Sequence, residues 1–213
     1  MYPLGRHVSR LSGYAPALPT PFDQDGALDR VAFERLCHGQ IEHGATALVV
    51  CGTTGEAPAL SASEHQELIR IAVGVACGQV PVVAGAGSNS TNHAIDLARA
   101  AEAAGADAIP SVVPYYNKPT QAGMHAHFCA IADAVGLPII LYDVPSRTAC
   151  ALADATVARL AERPQFIELK VPPVTWPGRS GCERCWGTAF AYCPAMTPPP
   201  WRSWRRAATG AFR

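Results

Sequence analysis

No apolar run in this chain of 213 residues approaches the roughly 18 needed to cross a bilayer, which excludes a membrane-spanning helix within it. Excess charge is missing too. Seventeen basic residues balance seventeen acidic ones and only 16% of the chain is charged, so the composition suits neither nucleic acid nor an anionic membrane surface. Paired cysteines are lacking over most of the chain. Cys37, Cys51, Cys77, Cys129 and Cys150 stand singly in apolar segments, as small buried hydrophobes in a reducing compartment would. The first twelve residues lack the apolar stretch of a secretion signal. A cytoplasmic enzyme acting on small molecules is the expectation, with no nucleic acid and no membrane as partner.

What is present is a rhythm. Short apolar, β-branched runs predict strands at residues 15–18, 47–52, 81–87, 106–114, 138–145 and 166–170. Helical patterns at 29–43, 63–77, 91–104, 121–135 and 153–162 separate them. Ser61 and Glu64 have the spacing of a capping box, and Gly44, Gly78, Gly105 and Gly136 follow helices where a left-handed residue ends the turn. Such a βα repeat favours a barrel over a doubly wound sheet, although periodicity leaves both open.

Chemistry gathers where strands end. Gly52-Thr53-Thr54-Gly55-Glu56 follows the second strand; small residues there expose backbone N–H groups to an anion, and two hydroxyls can hydrogen-bond a carboxylate or relay a proton. An ordinary polar turn would look the same. Pro114-Tyr115-Tyr116-Asn117-Lys118-Pro119 ends the fourth strand with two phenols, which could equally be packing aromatics. Tyr142 to Thr148 ends the fifth, and Arg147 within it offers the planar fork that suits a carboxylate. Phe166-Ile167-Glu168-Leu169-Lys170 closes the sixth. An amine at that point is expected to be partly desolvated and so available, uncharged, to attack a ketone; a surface lysine capping a strand is the plainer alternative.

Together these segments resemble the dihydrodipicolinate synthase family of class I pyruvate aldolases, continuously from about Gly13 to Lys170. The resemblance implies a (βα)8 TIM barrel, here incomplete with about six βα units, since the whole fold takes about 250 residues. It implies that Lys170 forms a Schiff base with pyruvate and that Gly52, Thr53 and Thr54 hold the pyruvate carboxylate. Thr54, Tyr142 and Tyr116 match the family's proton-relay triad, Tyr116 reaching into a neighbouring subunit, and Arg147 matches the residue receiving the carboxylate of L-aspartate 4-semialdehyde. The pyruvate enamine then attacks the aldehyde, and the substrate's own amine displaces the lysine as the ring closes. No metal or organic cofactor is implied, and the family's habit is a homo-oligomer, dimer or tetramer. Tyr115 and Asn89 fall where some members bind lysine as an inhibitor, with His93 in place of an acidic residue. Thr53 and the run Pro145-Ser146-Arg147-Thr148 favour this branch over N-acetylneuraminate lyase. Asp143 replaces a common asparagine and Glu168 a usual glycine; two residues before Lys170, Glu168 falls on the same face of its strand.

Residues 1–170 thus read as a partial aldolase barrel, and residues 171–213 as something else. The tail holds seven prolines, four tryptophans and six arginines but no Leu, Ile, Lys, His, Asn, Gln or Asp. With Glu183 as its one acid it carries a formal +5, and no helical or strand period survives in it. In the family the lysine is followed by a segment like Asp-Ala-Thr-Gly-Asp. Losing the A of a GAT aspartate codon would turn that into the observed Val171-Pro172-Pro173-Val174-Thr175. Residues 192–198 and 207–213 permit further family-like segments in the same shifted frame, and Met196 followed by Thr197 dictates an aspartate codon there. The tail is therefore expected to be a frame-shifted, disordered segment, and Cys182, Cys185 and Cys193 no zinc site, a fourth ligand being absent nearby. With six strands encoded, the first and sixth would be open edges, Lys170 on one of them, and poor solubility or low activity follows.

Overall fold

The computed structural model describes residues 13–171 together with the backbone of 191–194. Its strands follow one another in space as they do in sequence. β1 (Leu48–Val50) pairs in parallel with β2 (Val82–Ala84), and β3 (Ile109–Val112), β4 (Ile139–Tyr142), β5 (Phe166–Val171) and β6 (Ala191–Pro194) form a parallel run in that order. Isolated bridges at Ala17–Val49 and Val83–Ala108 join the pieces, so each strand lies beside the one before it from Ala17 to β6. A doubly wound sheet would reverse its order at a switch point. This one does not, and the architecture is an incomplete (βα) barrel.

Helices α1 (Arg30–Glu42), α2 (Ala62–Ala76), α3 (Thr91–Ala103), α4 (Gln121–Ala134) and α6 (Asp154–Ala161) fall where the periodicity placed them. The starts of α1, α3 and α4 are fixed by short polar side chains that accept from otherwise orphaned backbone N–H groups: Asp29 from Ala32, Ser90 from His93, Thr120 from Gly123. At α2 the Ser61–Glu64 capping box is complete in both directions. Alternation along the strands divides the apolar residues between two layers. Leu48, Val50, Ile109, Ile139, Leu141 and Leu169 meet the helices through Phe33, Leu68, Ile69, Phe128 and Leu160, while Ala47, Val83, Ala108 and Ile140, with Val49 and Ile167, fill the inside.

Several local expectations change. The run at 15–18 supplies a single bridge, supported by the Leu18 N–H donating to the Val49 carbonyl (2.8 Å). Strands at 81–87, 106–114 and 138–145 shorten because their carboxyl ends turn into loops. Pro145 opens a short helix, α5 (Pro145–Thr148), where its fixed φ and missing N–H suit a first helical position. Gly136 is not left-handed; α4 ends on extended Val135, and the Gly136 N–H donates to Glu102 (2.8 Å). Cys77 is exposed, not buried, and is itself the left-handed cap of α2. β6 arises in the tail, where no strand period was evident, and pairs Lys170 in register with Cys193, so Lys170 is not on an open edge. An edge strand offers a row of backbone donors and acceptors that an extended segment can satisfy whatever its side-chain pattern. Cys182 and Cys185, with the disorder expected of the tail, lie outside the described residues.

Candidate active site

The four clusters read from the sequence sit at the carboxyl ends of successive strands, on one rim of the barrel: residues 52–56 after β1, 114–119 after β3, 142–148 after β4, and Lys170 near the end of β5. Active sites of this architecture are built on that rim.

Lys170 and Tyr142 are brought together by register. They are paired residues of β5 and β4, the Asp143 N–H donates to the Lys170 carbonyl (3.0 Å), and Lys170 Nζ lies 4.9 Å from the centroid of the Tyr142 ring. Leu169 and Val171 join the helix-facing core, which turns Lys170 to the inside. Both side chains are half-buried. Burial pushes the Tyr142 phenol above its ordinary range and the nearby Arg147 charge pulls it partly back, so at neutral pH it stays protonated and can both donate and accept. An amine beside such a phenol is suited to a reaction in which nitrogen gains a carbonyl carbon and a proton must be moved.

Thr53 and Thr54 are exposed on a tight turn. The Gly55 and Ala57 N–H groups donate to the Gly52 carbonyl (3.0 and 3.4 Å), the Glu56 N–H to that of Thr53 (3.2 Å), and Thr20 Oγ1 donates to the Gly55 carbonyl (2.7 Å). The turn hangs from Cys51, a buried residue with φ 52°. Gly85 on the neighbouring loop leaves the space for it: a Cβ there would lie 2.0 Å from the Cys51 carbonyl oxygen. His65 Nε2 donates to the Gly85 carbonyl (2.8 Å), and burial lowers the imidazole's pKa, keeping the ring neutral.

Tyr116 is the outlier. It has φ 70° and is 87% exposed, and among the described residues no hydrogen bond links it with Thr54 or Tyr142 within the chain. Arg147 is exposed at the last turn of α5. Sequence reasoning missed Cys51, His65 and Gly85, the supports beneath the threonine turn; the Gly85-Ala86-Gly87 spacing after β2 was the available signal. A Cβ at Gly87 would likewise lie 2.5 Å from the Val112 nitrogen. Asp143, on the helix-facing side, accepts from the Leu152 N–H (3.2 Å) and is fully buried, a role in shaping the loop after β4.

Comparisons with known proteins bear on the family and the fold. Residues 10–172 match the profile of the dihydrodipicolinate synthetase family. A 4-hydroxy-tetrahydrodipicolinate synthase from Methylobacterium radiotolerans is 54% identical over 162 residues, covering 76% of this chain and 54% of that protein. One from Hyphomonas neptunium is 55% identical over 158 residues, covering 74% and 54%. Among solved structures, dihydrodipicolinate synthase from Aquifex aeolicus superposes with a TM-score of 0.83 at 38% identity, covering 86% of this chain and 63% of that one. The chloride-inhibited Acinetobacter baumannii enzyme complexed with pyruvate superposes with a TM-score of 0.81 at 43% identity, covering 84% and 62%. The chain spans about half the length of the curated relatives it matches.

Proposed function

Because this chain belongs to the dihydrodipicolinate synthetase family, we propose that it acts as a 4-hydroxy-tetrahydrodipicolinate synthase, condensing pyruvate with L-aspartate 4-semialdehyde in the cytoplasmic route to diaminopimelate and lysine. The observation that carries this reading is the amine of Lys170 held over the Tyr142 ring at the strand-end rim. The uncharged Nζ attacks C2 of pyruvate; its two hydrogens leave with the carbonyl oxygen as water, and the imine nitrogen takes up one proton. Tyr142 moves the protons, and the backbone around Gly52, Thr53 and Thr54 holds the carboxylate. Loss of a methyl proton then gives the enamine that attacks the aldehyde, whose carboxylate Arg147 receives. A Tyr116 this exposed suits a homodimer or tetramer in which it completes the relay of a second copy.

Borohydride reduction in the presence of pyruvate tests the assignment. The expected result is a mass increase on the peptide holding Lys170 and none on Lys118, the other lysine in the sequence. A folded chain that gives no adduct supports the alternative, a non-catalytic fragment. Comparing aspartate semialdehyde with sugar aldehydes as acceptors separates this activity from that of an N-acetylneuraminate lyase.

The tail is proposed to be a second reading frame of the DNA that encodes the missing part of the barrel. The family match stops at residue 172 while the chain continues to Arg213. Resequencing the codon after Lys170 is the test, and an independently confirmed, intact frame overturns it.

A further inference from the structure

Glu168 is 3% exposed, and two observations put it on the inner side of the barrel. Leu169 and Val171 belong to the helix-facing core, so alternation sends Glu168 and Lys170 the other way. Glu168 also pairs in register with Ile140, a member of the inner apolar cluster, as Lys170 pairs with Tyr142. Two residues along one face of a strand are about 6.6 Å apart, within reach of a glutamate and a lysine side chain.

The described residues on the inner side are mostly apolar. Ala47, Val49, Val83, Ala108, Ile140 and Ile167 make the inner cluster apolar. Among the described residues, strand register sets Lys170 on the same strand and Tyr142 on β4 close by, with Arg147 acting on Tyr142 from α5; on β6 the register neighbours are Ala191 and Cys193. A carboxylate in such a place favours a cation beside it.

The geometry points to Glu168 as a positioning residue that sets the charge on Lys170, holding the Nζ proton so that imine formation is gated by the pH at which that proton leaves. This rests on the Schiff-base role proposed for Lys170. In the step concerned the ammonium first gives up one proton to solvent, and the neutral amine then adds to the keto carbon with loss of water. The carboxylate slows the first event and steadies the iminium that results.

The test is the initial rate of cyanoborohydride trapping at limiting pyruvate, followed against pH. Glu168→Gln is expected to move the midpoint down by about one to three pH units and to raise the rate at pH 7 about tenfold or more, while Glu168→Asp stays near the wild-type midpoint. A Gln variant with the wild-type midpoint overturns the proposal. Should that variant not fold, the unaltered chain gives the answer. With Lys118 and Lys170 its two lysines, reductive 13C-dimethylation yields two lysine NMR signals besides that of the α-amino group, and Lys118→Arg assigns them. Lys170 titrating above Lys118 supports the proposal, and at or below it overturns it. No adduct at any pH, with Lys170 still titrating high, would instead defeat the Schiff-base reading and leave the pairing standing.

Discussion

The helix-facing side of the sheet and the rim at its strand ends are built on opposite terms. On the first, large apolar side chains such as Phe33, Phe128 and Leu48 are fully buried, and α1 to α4 each start on a capping side chain. On the second, the chain takes up unfavourable backbone. Of the six non-glycine residues with positive φ among those described, Cys51, Glu56, Tyr116, Lys118 and Ala149 all lie on rim loops, each costing of the order of 1–3 kcal/mol. Packing on one side carries strain on the other, which separates what keeps the molecule folded from what gives it chemistry.

Four measurements would sharpen or break that separation. The largest expected effect is Lys170→Ala, which should abolish the pyruvate adduct while leaving the urea midpoint nearly unchanged. A large stability loss instead would mean the rim also holds the fold. Phe128→Ala should do the reverse, costing about 3–5 kcal/mol in urea unfolding while the adduct per folded molecule persists; Phe128 is fully buried, edge to face with Phe166.

His127 probes the same side through pH. Burial pushes it down from 6.5 to about 4, so between those values the unfolded chain binds the proton more readily than the folded one. Stability from this group is complete above about pH 6.5 and fades as pH falls towards 4, on the order of 3 kcal/mol in all. Urea titrations across that window check it, and His127→Gln should flatten the slope. The smallest effect belongs to Ser61→Ala, which removes one half of the capping box and should cost about 1 kcal/mol in the same assay.

Much of this molecule was legible because it repeats. Helix spacing, the Ser61–Glu64 box and the common face of Glu168 and Lys170 follow from periods of 3.6 and 2, which residue types reveal directly. What stayed hidden depends on meetings between distant residues. Nothing local says that Cys51 must be left-handed; that follows from the Gly85 loop lying against its carbonyl. β6 was invisible because a parallel partner needs only extended backbone beside a waiting edge. At the strand ends the residue types were legible, whereas the register that pairs Lys170 with Tyr142 was not read from the sequence. Nor was the exposure of the site, since whether Thr53, Thr54 and Tyr116 lie open depends on loops whose course no period describes.

The chain-order arrangement of the strands has a consequence for synthesis. Each unit leaving the ribosome finds its hydrogen-bonding template already made by the unit before it, so structure can accumulate from the amino end with no wait for the ring to close. The strands bearing Tyr142 and Lys170 are consecutive products of that process. Their alignment can therefore form once the later of them has left the ribosome.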